Sequence, residues 1–133
     1  MHAHVIASAK LIRAARKRAA QSVPPVPTTN YQPPYFHTAA SQAPLWLKVN
    51  VAELGVDLLT IDGQKIMGPK GVGALYIRSG IPIAHPLFSA GKQERGLRSG
   101  TEPVPLIVGL SIALELAEAG REDTVRRLSA LRD

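Results

Sequence analysis

Over residues 1–20, Val5, Ala9, Ile12 and Ala15 or Ala19 recur at helical spacing, while Lys10, Arg13, Lys17 and Arg18 fall largely off that stripe. The spacing predicts a basic amphipathic helix. Residues 21–34, QSVPPVPTTNYQPP, break every period. Proline removes a backbone donor and fixes φ, so this stretch reads as a connector. Tyr35-Phe36-His37-Thr38 then predicts a short strand running into Ala39, Ala40 and Ser41. Val51–Leu54 reads as one helical turn closed by Gly55, and Val56–Ile61 as a buried strand. A Gly/Pro turn at Gly68–Gly73 leads to a strand at Ala74–Ile77, and a Gly-rich loop follows from Phe88 to Thr101. The clearest helix runs from Val104 to Ala119, with Leu106, Leu110, Ala113, Leu114 and Ala117 on its apolar face.

This alternation of helices and strands predicts an α/β layered arrangement. Three short strands make a thin sheet with open edges, which needs covering by a partner or by more chain. The predicted organisation is a basic helix over 1–20, a Pro-rich connector over 21–34, a core over 35–120 and a charged helical tail over 121–133.

Composition narrows the classes. The 133 residues suit one domain, with hydrophobic residues at 45% and charged residues at 20%. No apolar run approaches the roughly 20 residues of a membrane span, which argues against an integral membrane protein. Cysteine is absent, so the chain itself supplies no disulfide, thiolate metal ligand or thiol nucleophile. This is compatible with a reducing compartment, and a cytoplasmic location is the expectation.

The net charge of +6 is local. Lys10, Arg13, Arg16, Lys17, Arg18 and Lys48 all precede the first acid, Glu53, and from there ten basic residues balance ten acidic ones. The basic N-terminal stretch admits three readings: an organelle transit peptide, a patch for nucleic acid or an anionic surface, and a solvated face on a core-packed helix. The third is the simplest. A nucleic-acid module predicts binding that weakens steeply with salt and disappears when Arg13, Arg16, Lys17 and Arg18 are neutralised. No aromatic residue interleaves with the run, which counts against single-strand stacking.

The familiar phosphate motifs fail. Gly71-Val-Gly73 continues into Ala74, Leu75 and Tyr76 without the third glycine of a dinucleotide fingerprint, and Gly91-Lys92 lacks the P-loop glycine five residues earlier. His2, His4, His37 and His85 lack ligand spacing, so no metal site is expected. Lys65 is different. It follows a buried strand and precedes a Gly/Pro turn, which holds it near the carboxyl edge of the sheet, where ligands of open α/β sheets gather. A partly desolvated amine there, near other cations, can condense with an aldehyde.

The segment His37–Leu114 resembles the large domain of the cysteine desulfurases, pyridoxal-phosphate (PLP) enzymes of the class V aminotransferase group. That group includes bacterial iron–sulfur-cluster and selenocysteine-lyase relatives. Three blocks carry the resemblance in order: HTAASQAP with LGVDLLTI, then QKIMGPKGVGALYIR, then QERGLRSGTEPVPLIVGL. The resemblance demotes the transit-peptide reading, because the 1–20 helix then matches an internal helix of the family. It implies a partial fold type I PLP-dependent transferase large domain, a three-layer αβα fragment with a short sheet.

The resemblance also implies site residues. Lys65 matches the lysine that holds PLP covalently, Gln42 the glutamine that hydrogen-bonds the ring hydroxyl, and Thr101 the threonine that reaches the phosphate of the neighbouring subunit in a homodimer. Thr101 lies just before a helix start, where anions are favoured. Arg95 and Arg98 add positive field to its loop.

Four departures accompany these matches. Ala39 stands where the family places the aspartate on the pyridine nitrogen. Asp62 and Gln64 stand where it has a phosphate-donating hydroxyl and a histidine; Gln64 can still donate, whereas Asp62 would repel phosphate unless it turns away. Ser89-Ala90-Gly91-Lys92 replaces a run of glycines. The resemblance further places the catalytic cysteine beyond residue 133, and a ring-stacking histidine and a cofactor-contacting asparagine before residue 1.

The chain is therefore expected to be the middle of a large domain. The expected activity is sulfur transfer from L-cysteine for iron–sulfur or thio-cofactor assembly, incomplete in this chain alone. The alternatives are a non-catalytic subunit pairing with a full-length relative, and the basic-helix nucleic-acid module.

Overall fold

The computed structural model describes residues 34–83, 88 and 90–133, with isolated helical positions at 10, 11, 14 and 17. Most of the predicted basic helix, and the predicted connector apart from Pro34, lie outside the described residues.

Three strands form one mixed sheet in the order β1 (His37–Ala39), β2 (Leu58–Asp62), β3 (Gly73–Ile77). β1 and β2 are parallel, with Thr38 opposite Leu59 and Ala39 opposite Thr60. β2 and β3 are antiparallel, with Leu59 opposite Tyr76 and Asp62 opposite Gly73. The three predicted strands are present with shifted ends, and the arrangement is α/β.

The link from β1 to β2 is short. A 3-10 turn at Ala43–Leu45 leads to the single-turn helix α1 (Val51–Leu54). Asn50 caps α1 by accepting from the amides of Ala52 and Glu53 at 2.9 and 3.2 Å. Gly55, at φ 65°, ends it in the left-handed conformation that glycine adopts without steric cost. The predicted helical turn and its stop are both found.

One face of β2 builds the first apolar cluster. Leu59 is 2% exposed and packs with Ala40, Ala43, Leu54 and Val56, flanked by Phe36, Ile61 and Tyr76. Burying a Val or Leu of this kind stabilises the fold by about 1.5–3 kcal/mol per side chain. Thr60 and Leu75 lie on the opposite face by strand alternation, and Leu75 is 51% exposed.

Asp57 precedes β2 and is 1% exposed. Its carboxylate accepts from the Phe36 amide at 2.7 Å and pairs with Arg78 at 3.3 Å. Arg78 also donates to the carbonyls of Gly55 and Val56 at 2.8 and 2.7 Å. The start of β1, the start of β2 and the end of β3 are thus tied to one charged pair. Sequence pattern alone places Asp57 within an apolar run and does not reveal this role.

The long helix α2 (Val104–Arg132) extends well past the predicted end at Ala119. Gly120 stays helical instead of making a left-handed stop; the i,i+3 pair Glu118–Arg121 spans it, and Asp123–Arg126 follows one turn on. Hydrogen bonding from Arg121 holds the Glu118 carboxyl below the ordinary carboxylate range. Leu110 and Ala113 pack on Ile66 to form the second cluster, with Leu45, Ile61 and Val72 beside it.

Backbone approaches closely where α2 meets the turn after β2. A Cβ on Gly109 would stand 2.5 Å from Pro69 Cγ, and one on Gly68 would stand 3.0 Å from Ala113 Cβ. Gly109→Ala is therefore expected to destabilise the chain by about 1–3 kcal/mol through overpacking against the Pro69 ring. Urea unfolding checks this; an unchanged midpoint would mean that α2 does not dock there.

Candidate functional site

Because β1 and β2 are parallel, their carboxyl ends lie side by side. The Ala40 amide donates to Thr60 O at 2.9 Å and the Asp62 amide donates to Ser41 O at 3.4 Å. Gln42 follows Ser41 directly, and Lys65 follows Asp62 by three residues. The two segments predicted to hold the cofactor therefore leave the same sheet edge, bonded to one another. Gln42 is exposed, and so is Ala39 on the outer strand.

Lys65 sits on a 3-10 turn, Gly63–Ile66, rather than at the strand end itself. Asp62 starts the turn: its side-chain oxygen accepts from the Gln64 amide at 3.1 Å. The Gly63 amide donates to Val72 O at 2.9 Å, and the Gly68 amide donates to Gly63 O at 2.8 Å. Ile66 is buried beneath at 1% exposure, while Gln64 and Lys65 are exposed. Met67 closes the turn at φ 64°, a left-handed conformation that costs a non-glycine residue roughly 1–2 kcal/mol. The anchoring of Ile66 and the α2 contacts of Gly68 and Pro69 hold the turn in this shape.

The sequence predicts a partly desolvated lysine; the structure places the Lys65 side chain in the open. Among the described residues, no hydrogen bond or ion pair engages its amine. The amine is thus accessible to an incoming carbonyl compound. An apolar groove of about 170 Å³ lies between the turn and α2, lined by Leu45, Ile66, Met67, Ala113 and Leu116 among others. It includes neither Lys65 nor Gln42 and belongs to the packing interface rather than to the amine.

Thr101 is exposed, three residues before α2 begins, and Pro103 caps that helix without a side-chain hydrogen bond. No hydrogen bond or ion pair among the described residues links Thr101 with Gln42, Gln64 or Lys65. The loop before it is unusual: Glu94, Arg95 and Gly96 have φ 48°, 58° and 80°, three successive left-handed residues. The Arg98 guanidinium lies 4.9 Å from the Phe88 ring centroid and donates to the Ser99 carbonyl. Ser89 lies outside the described residues. No group of His, Asp or Glu among the described residues is arranged to hold a metal ion, and no described helix is long and apolar enough to cross a membrane.

Over 99 residues the chain is 54% identical to a cysteine desulfurase IscS of Dictyoglomus turgidum, covering 74% of this chain and 25% of the relative. A cysteine desulfurase IscS of Methanosarcina thermophila is 52% identical over 99 residues, covering 74% and 24%. Among solved structures, a NifS-like protein superposes with a TM-score of 0.68 at 43% identity, covering 72% of this chain and 26% of that one. The chain spans about a quarter of the length of the curated relatives it matches. The sequence model of the aminotransferase class-V family matches residues 30–131, a range that holds the whole sheet, the Lys65 turn, Thr101 and nearly all of α2. On that match the chain belongs to the aminotransferase class-V family.

Proposed function

We propose that this chain is the cofactor-anchoring part of a PLP-dependent cysteine desulfurase. One observation carries the reading. The Asp62 amide bonds the Ser41 carbonyl, which brings the segments bearing Lys65 and Gln42 to one sheet edge with the lysine amine open. The donor set fits the aldehyde end of PLP: a primary amine for the aldehyde and the Gln42 amide for the ring hydroxyl. At the position that the resemblance gives to the pyridine-nitrogen partner stands Ala39, which offers no acid.

In this reading Lys65 Nζ holds the cofactor and carries a proton to and from the substrate carbon. Gln42 orients the ring, and Thr101 reaches the phosphate held by a second subunit of a homodimer. When bound, PLP supplies an electron-withdrawing ring that stabilises negative charge at the amino-acid α-carbon. L-Cysteine is the proposed substrate.

The chain contains no cysteine, so it has no thiol to accept the sulfur. Supplied with PLP and L-cysteine, the purified chain is expected to release no sulfide above a protein-free control. Sulfide assay checks this, and release above the control would contradict the incomplete-site reading.

A second reading, a non-catalytic subunit pairing with a full-length relative, draws on the apolar stripe of α2. Val104, Val108, Ile112 and Leu116 recur every four residues and are 51–68% exposed. Co-purification with a full-length relative supports pairing, and its failure leaves the first reading alone.

PLP titration tests the main proposal. A visible absorption band that saturates and persists after borohydride treatment as protein-bound pyridoxyl supports it; titration without such a band contradicts it.

A further inference from the structure

We propose that Asp62 sets the cofactor form this site accepts, disfavouring a phosphate ester, so that unphosphorylated pyridoxal binds at least as well as PLP. The inference rests on the reading of Lys65 as the covalent anchor.

Three observations carry it. Asp62 precedes Lys65 by three residues, and its carboxylate is fixed on the Gln64 amide at 3.1 Å. That contact takes a backbone donor from the turn and leaves a negative charge in its place. The Gly63 amide is committed as well, to Val72 O at 2.9 Å. The residue immediately before Lys65 is Gln64, whose side chain is neutral and exposed. Phosphate binding at a backbone turn depends on free N–H groups and positive field. Here the start of the turn has two committed N–H groups and a carboxylate. The aldehyde and ring hydroxyl, which pyridoxal and PLP share, would be taken by Lys65 and Gln42 in either form.

Capture of either aldehyde is redox-neutral. The unprotonated Lys65 Nζ adds to the aldehyde carbon, C=N replaces C=O, and oxygen leaves as water. Borohydride then delivers hydride to that carbon, and the nitrogen takes a proton from solvent.

The experiment measures the affinity of the full chain for pyridoxal and for PLP by absorbance titration. It compares the native chain with Asp62→Ser and Asp62→Asn, and borohydride fixation and peptide mapping identify the modified lysine. Both replacements retain a side-chain oxygen able to cap the turn, so both variants are expected to fold. A charge a few ångströms from a partly screened dianion changes affinity by about tenfold. Both variants are therefore expected to gain about tenfold in PLP affinity while pyridoxal affinity changes less than about twofold, and the gain shrinks at high salt.

An unchanged ratio of PLP to pyridoxal affinity in both variants, or an equal gain for both aldehydes, would overturn the role of Asp62 while leaving Lys65 as the anchor. Failure of both aldehydes to modify Lys65 in any variant would overturn the anchor reading, and this inference with it.

Discussion

Lys65→Ala is expected to abolish covalent capture of PLP while leaving the fold in place. The side chain is exposed and makes no hydrogen bond or ion pair among the described residues, so its loss should change stability by less than about 0.5 kcal/mol. The C=N bond, by contrast, has no substitute: alanine offers no amine. The control is Lys70, another exposed lysine five residues on, within the Gly/Pro turn that follows. Lys70→Ala should retain the visible band and the borohydride-fixed adduct at native levels. Spectra and urea unfolding of both variants check the pair of expectations. Equal loss in both, or an adduct that survives Lys65→Ala, would place the reactive amine elsewhere.

Asp57→Ala is expected to cause the largest loss of stability, about 3 kcal/mol, at the low end of the range for breaking a buried ion pair because Arg78 retains partial access to water. The substitution removes the 3.3 Å pair with Arg78 and strips the Phe36 amide of its 2.7 Å acceptor. Among the described residues, it also leaves the Arg78 guanidinium bonded only to the carbonyls of Gly55 and Val56. Asp57→Asn separates the two losses, since an amide oxygen can still accept from Phe36 but carries no charge. Its cost should fall between those of the native chain and the alanine variant. Chemical denaturation with unchanged slopes gives the order directly. An Asp57→Ala midpoint equal to the native one would show that the pair does not hold β1 against β2, and the geometry at Gln42 and Lys65 depends on that pairing.

The elements nearest the site were the most legible. The apolar run Val56–Ile61 and the glycines around Lys65 describe a strand and a tight turn in local terms, and local terms suffice there: Leu59 and Ile66 face inward while Lys65 faces out. The continuity of α2 was not legible, because Gly120 carries a stop signal only when it takes the left-handed conformation, and here it stays helical, so the expected helix and the expected helical tail over 121–133 form one element.

Asp57 was hidden for a different reason. Its partners, Phe36 and Arg78, lie 21 residues from it in opposite directions, and no local period reports a contact at that separation. Asp62 was recognised as a departure from the family pattern; its placement on the Gln64 amide required the structure. The exposure of Lys65 likewise differs from the desolvated amine that its strand-end position suggests, since the 3-10 turn carries it past the end of β2.

The central claim is that the amine at position 65 is the covalent anchor for a B6 aldehyde, and site-resolved mass spectrometry tests it most directly. The full chain is equilibrated with PLP, reduced with borohydride, digested and sequenced by tandem spectra. The account predicts phosphopyridoxyl label concentrated on Lys65, saturating at one per chain, with Lys48, Lys70 and Lys92 modified only at background. Label spread evenly over the surface lysines, or concentrated on any of them in place of Lys65, would contradict it.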